Sequence, residues 1–113
     1  MKWIYLIKAI DIVENNEYYK IGISKNHPSK RLKQLQTGNA LRLEIVEMFH
    51  SKYANLLESS LHRTFGIERI REDGEWFHLS NEQIINFMIN CNKIEKDFDF
   101  LNENNTFFKK NYL

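Results

Sequence analysis

Five polar side chains fall where strand and helix patterning put them at the rim of an apolar face: Tyr5, Lys20, Arg31, Glu58 and His62. Together they are the parts that phosphodiester hydrolysis requires. A carboxylate such as Glu58 gives a hard divalent cation one protein oxygen, and Mg²⁺ can fill its remaining positions with waters and phosphate oxygens. Arg31 offers a planar fork of donors to charge building on phosphoryl oxygens. A phenol, an imidazole or an amine can take a proton from attacking water, which makes Tyr5, His62 and Lys20 candidates for that role. Any one of them alone would be read as ordinary surface, because isolated charged residues are mostly just exposed. Collected at the edges of the apolar stripes, the five supply each kind of part that the chemistry needs.

The elements that must position them are legible from periodicity. Lys2 to Ile10 alternates as a strand, with Ile4 and Leu6 on one side and Trp3, Tyr5 and Ile7 on the other. A polar turn at Glu14 to Glu17 leads to a second strand, Tyr18 to Ser24, expected to pair with the first as an antiparallel hairpin. Tyr19, Ile21 and Ile23 then join Ile4 and Leu6 over the core, while Lys20 and Gly22 share the opposite face with Tyr5. Gly22 thins the backbone there, a place where a phosphate could be held. Asn26-His27-Pro28 reads as a helix start with Pro28 at the first helical position, and the helix stops at Gly38-Asn39. On its wheel Leu32 and Leu35 point inward and Arg31 lies roughly 70° away, at the rim.

Leu41 to Phe49 is apolar on both sides for much of its length, as a central strand would be. Ser51 is placed to cap a helix from about Lys52 to Phe65, whose core stripe is Tyr53, Leu56, Leu57, Leu61 and Phe65. Glu58 and His62 are neighbours at the edge of that stripe. Glu75 to Leu79 is a short aromatic strand, and Ser80 with Gln83 forms a capping box before a last helix through Phe98. The expected fold is α+β, a small mainly antiparallel three-stranded sheet flanked by helices. Residues 1–80 form the core, 81–101 a C-terminal helix packed on it, and 102–113 an Asn-rich loose tail.

With 113 residues and fifteen aromatics the chain is one folded domain with a single modest core. No apolar run approaches the ~20 residues that span a bilayer, so no membrane partner is expected. Lys8 and Asp11 interrupt the N-terminal pattern, which therefore does not read as a signal peptide. Cys91 is the only cysteine, in keeping with a reducing, cytoplasmic setting, which would be host cytoplasm for a viral or phage product. The near-neutral total hides a split. Tyr18 to Arg71 holds ten Lys/Arg against four Glu, whereas Glu72 to Asn105 holds eight acids against two lysines. Such asymmetry favours a polyanion on one part of the surface, although charge runs are more often solvated faces.

The order of these pieces resembles the GIY-YIG nuclease superfamily, and more closely its subfamily named after a bacteriophage T5 reading frame and a meiotically up-regulated yeast gene. The resemblance rests on Trp3-Ile4-Tyr5 and Lys20-Ile21-Gly22 in the places of the two name motifs. It rests also on RLKQLQTGN (Arg31 to Asn39), LESSLHRTF (Leu57 to Phe65) and GEWFHL (Gly74 to Leu79). It covers about Lys2 to Leu79. It implies a metal-dependent DNA endonuclease in which Glu58 is the metal ligand for Mg²⁺ or Mn²⁺ and Arg31 stabilises the phosphate. Tyr5 or Lys20 would activate water, Lys20 and Arg31 supplying the positive charge that a phenolic base needs. His62 would join them or support Glu58. The chain departs from the pattern in having Trp3 for the glycine of the first motif and Lys20 for the tyrosine of the second, a lysine also found among restriction-enzyme-like members. Leu35 stands where many members have histidine or tyrosine, and the family's late asparagine has no clear counterpart near Glu75 and Trp76, Glu75 being a candidate supporting carboxylate.

DNA is then the expected partner, with Lys25, Lys30, Lys33, Arg42, Arg63, Arg69 and Arg71 meeting phosphates. No separate base-reading element is present, so low sequence specificity or recognition of DNA structure is expected. Cutting both strands would call for two visits or a homodimer. The rival readings are a DNA-binding module of the same fold without catalysis and a protein-interaction domain built on Trp76, Phe77 and the last helix. The abundance of Asn, Ile and Lys suits an AT-rich source such as a phage or mobile element.

Overall fold

The computed structural model describes residues 1–66 and 76–104. Arg69, Arg71 and Glu75 lie outside the described residues. The chain runs through β1 (Lys2–Asp11), β2 (Asn16–Ser24), α1 (Pro28–Gln36), β3 (Arg42–Ser51), α2 (Ala54–Thr64), β4 (Trp76–Phe77), α3 (Asn81–Ile85) and α4 (Phe87–Asn104). The class is α+β, but the sheet has four antiparallel strands, in the order β3-β1-β2-β4, where three were expected. The fourth is the aromatic pair Trp76-Phe77, which hydrogen-bonds alongside Lys20 and Tyr19. So short a strand is held by the large side chains it buries, Phe77 being fully enclosed.

β1 and β2, not β3, are the central strands. β3 reads as central because both sides of it are apolar. It is an edge strand nonetheless; its apolar residues are drawn to both sides because helices pack on both faces of the sheet, while Arg42, Met48 and His50 on it stay exposed. On one face α1 packs Leu32 and Leu35 against Tyr5, Ile7, Ala9 and Leu43. On the other, Leu57 and Leu61 from α2, Phe65 at its C-cap, and Phe87 and Cys91 from α4 enclose Ile4, Leu6, Tyr19 and Ile21. The strand alternation thus sorts the chain into two cores. A bulge on β3, where Leu6 faces Glu47 and Ile7 faces Ile45, resets the register and puts Ile45 and Leu43 beside Ile7 and Ala9 on the α1 face.

The β1–β2 hairpin closes two residues earlier than its polar residues suggest. Asp11 accepts the Glu14 N–H at 3.1 Å, and Asn15 adopts a left-handed φ of 54°, so the loop is Ile12 to Asn15. Ile12 and Val13 are left 81% and 92% exposed at its tip. α1 begins as read: Pro28 is its first residue, and His27 Nδ1 accepts the Ser29 N–H at 3.2 Å. Its other end is tied to β3 by the Gln36 amide, which donates to Leu41 O at 2.8 Å and accepts from Leu43 N at 2.9 Å.

α2 starts at Ala54, later than expected, with Tyr53 at its N-cap and no side-chain cap. Ser51 is otherwise engaged: its oxygen accepts the Tyr53 N–H and its hydroxyl donates to Glu95 on α4. Tyr53 Oη donates to Asp99 at 2.6 Å and Lys52 pairs with the same carboxylate at 3.6 Å, so a polar seam docks α4 beside the apolar core. The capping box at Ser80 and Gln83 is present, but the helix it opens ends at Ile85, and α4 then runs through Asn104. Residues 102–104, assigned to the tail from sequence, are therefore helical.

Candidate functional site

The sheet face under α1 is organised in rows by strand register. His50, Trp3 and Ser24 form the first, Met48, Tyr5 and Gly22 the second, and Ile45, Ile7, Lys20 and Trp76 the third. Tyr5 and Lys20 therefore lie diagonally adjacent, as strand alternation requires. Tyr5 is 2% exposed and Lys20 8%. A lysine is seldom so enclosed without a partner, and the Lys20 ammonium lies 5.7 Å from the centroid of the Trp76 ring, within cation–π range.

Gly22 has a different job from the one its sequence position suggests. The space freed by its missing side chain is filled by Tyr5: a Cβ built at Gly22 would lie 2.3 Å from the phenol oxygen and 2.5 Å from Cζ. The thin backbone seats the tyrosine, and no room remains there for a phosphate. The glycine thus fixes where the Tyr5 hydroxyl is presented.

Arg31 sits on α1, the helix covering this face, half-buried, with Nη1 donating to Gln34 Oε1 at 3.3 Å. Glu58 and His62 are on α2, which packs against the opposite face. His62 Nε2–H donates to the Ile21 carbonyl at 2.9 Å, and its ring lies 5.4 Å from Phe77. Because a carbonyl only accepts, Nε2 carries the proton and Nδ1 is the remaining acceptor of the neutral ring. Ile21 lies between Lys20 and Gly22, one step past the last described β2–β4 pair. His62 thus pins α2 to the stretch of β2 that carries Lys20 and Gly22 on its other face. Glu58, half-buried, is one helical turn before it.

The expected phosphate-binding cations divide by location. Lys25, Lys30 and Lys33 are exposed along the loop and helix beside Arg31. Arg63 is exposed on α2. Arg42 is exposed at the start of β3 and pairs with Glu44 at 3.2 Å, which competes with phosphate. No group of three or more His, Cys, Asp or Glu that could hold a metal occurs among the described residues.

Sequence reasoning missed the aromatic neighbours. Trp3 stacks on His50, with centroids 4.5 Å apart and planes 13° from parallel, and meets His27 edge-on at 5.3 Å. The signal was available only through β1–β3 register, which places Trp3 opposite His50. Tyr19, Tyr53 and Cys91 are moved from their ordinary values. Burial first, then a hydrogen bond and repulsion from Glu17, push the Tyr19 phenol up to about 12. Burial and Asp99 do the same for Tyr53. Burial, with Glu95 and Glu47 nearby, pushes the Cys91 thiol up to about 12, which leaves it inert.

No helix among the described residues is long and apolar enough to cross a membrane. No curated protein and no solved structure matches the chain. Among known families, the T5orf172 domain matches residues 2–95. With that match spanning the buried residues of both cores and half of α4, the chain belongs to the T5orf172 domain family.

Proposed function

We propose that this chain is a metal-dependent DNA endonuclease of the GIY-YIG type, hydrolysing phosphodiester bonds with low intrinsic sequence specificity. The observation that carries the reading is the fixed Tyr5 hydroxyl over Gly22, with buried Lys20 in the next row, beneath a helix bearing Arg31. An ordinary core would not enclose a lysine beside a phenol under a run of exposed cations.

The donor set suits Mg²⁺ or Mn²⁺ and not zinc. Glu58 is a hard oxygen donor on a helix anchored through His62, and a single carboxylate is enough for an ion that keeps most of its waters. Such an ion supplies Lewis-acid stabilisation of the phosphoryl oxygens and the leaving group. The chain's own residues do the rest. Arg31 grips non-bridging oxygens with its planar donors. Tyr5 orients the attacking water and takes its proton, the cationic Lys20 and Arg31 favouring the phenolate. Lys20 in its neutral form is the other residue that could accept that proton. Lys25, Lys30 and Lys33 track the backbone.

Supercoiled DNA incubated with Mg²⁺ or Mn²⁺ should be nicked, and Glu58→Ala and Arg31→Ala should each abolish nicking while still binding DNA. Equal rates for Glu58→Ala and wild type would end the proposal. Lys20 and the inward Leu35 favour a second reading, a DNA-binding module without catalysis, and that reading predicts binding with no nicks under any metal.

A further inference from the structure

The row next to Tyr5 holds an aromatic stack that the hydrolytic reading leaves unused. Trp3 lies against His50 as a nearly parallel pair, and His27, at the start of α1, closes the edge of the indole. His50 and His27 are both exposed, so the stack reaches the surface instead of ending in the core. One row along β1 separates it from Tyr5, about 7 Å at the strand rise. Its surroundings are cationic: Lys25 lies in the loop between Ser24 and His27, Lys30 and Arg31 follow on α1, and the first turn of α1 has no acid.

We propose that the His50–Trp3 stack is a platform for an unpaired nucleobase of the strand to be cut, so that single-stranded or locally open DNA is the preferred substrate. A flat, surface-reaching ring pair beside backbone-tracking cations is the composition that single-strand binding uses, because every base offers a π-face. A base stacked within an intact duplex cannot offer that face without being unstacked first. The exposed imidazole of His50, backed by the indole of Trp3, takes the base, while Lys25 and Lys30 hold the flanking phosphates. This inference rests on the nuclease reading for the identity of the polymer, and it adds which form of the polymer is taken.

The test measures binding in EDTA, so that no cleavage intervenes, with one oligonucleotide sequence as single-stranded DNA, as duplex DNA and as single-stranded RNA. His50→Ala and Trp3→Leu should weaken single-strand binding by about 5- to 100-fold, as loss of one base–aromatic stack does, and change duplex binding little. His50→Tyr, which keeps a ring, should restore single-strand affinity, and Lys30→Ala should weaken all forms together. In a Trp76→Phe background the remaining Trp3 fluorescence should be quenched by the single strand. Unchanged single-strand affinity, or equal loss on strand and duplex, overturns the platform. Tighter binding of the RNA arm than of the DNA arm overturns DNA as the occupant. Absence of nicking with the single-strand effect intact refutes the nuclease reading and leaves the platform standing.

Discussion

Gly22→Ala is the substitution whose cost the structure sets most directly. The new Cβ would sit 2.3 Å from Tyr5 Oη, 2.5 Å from Cζ and 2.9 Å from Cε1, where ordinary contact begins at 3.4 Å. The ring must therefore retreat by about 1 Å, and it is 2% exposed, with Ile7 and Leu32 packed in the same cluster. Close-packed interiors do not absorb such a shift without off-rotamer side chains or backbone movement, at about 1–3 kcal/mol. For a chain of this size that is roughly 4–12 °C of melting temperature. Thermal and urea unfolding of Gly22→Ala, Tyr5→Leu and the double variant form the assay. In the Tyr5→Leu background the ring is gone, and Gly22→Ala should then cost less than about 0.5 kcal/mol, giving a large coupling in the cycle. A melting temperature within 1 °C of wild type, or the same penalty with and without the tyrosine ring, would refute the account of Gly22 as the seat of Tyr5.

Other perturbations have defined signs. Tyr19 and Tyr53 both titrate in the folded chain near 12, above the ordinary 10 of the unfolded chain, so their contribution is complete below pH 10 and is lost as pH rises from 10 towards 12. Each should give a slope of up to ~1.4 kcal/mol per pH unit in that window, and urea titrations of Tyr53→Phe should show a shallower alkaline loss than wild type. Identical slopes for the two would remove the linkage. Cys91 is buried in the core, with its thiol pushed up to about 12, so iodoacetamide at pH 8 should leave it unmodified in folded protein and label it on unfolding. Labelling of the native chain at the rate of a free thiol would contradict its burial.

The parts of the fold legible in the sequence are those with a period or a cap. The two hairpin strands, the Pro28 helix start and the Ser80–Gln83 box each stand on a local pattern that tertiary contacts reinforce. Strand order was not local. β3 is apolar on both sides because helices cover both faces, and that fact is invisible until α1 and α2 are seen to pack on opposite sides. Ser51 reads as a cap because Ser before a helical stripe usually is one, but its hydroxyl is drawn to Glu95, 44 residues on. The placement of Tyr5 with Lys20 followed from alternation alone. The Trp3–His50 stack did not, since it depends on β1–β3 register.

The division of the candidate residues between two faces constrains any mechanism. Tyr5, Lys20 and Arg31 belong to the α1 side, whereas Glu58 and His62 ride on α2 across the sheet. A phosphate served by both sets has to sit at the rim of β2, because the interior of a four-stranded sheet separates them. The described β4 pairing ends at Lys20, and the next residue, Ile21, is the one His62 engages. His62 therefore sets how far α2 can drift from that rim, and with it the reach of Glu58. His62→Ala removes the anchor and leaves the Ile21 carbonyl without this donor, at about 1–3 kcal/mol. Under the proposed function the lost anchor should lower the nicking rate and raise the metal concentration needed for half-maximal rate. Glu58→Ala, by contrast, should abolish nicking at any metal concentration. A His62→Ala enzyme with wild-type metal dependence would place Glu58 independently of that hydrogen bond and break the link between the two faces.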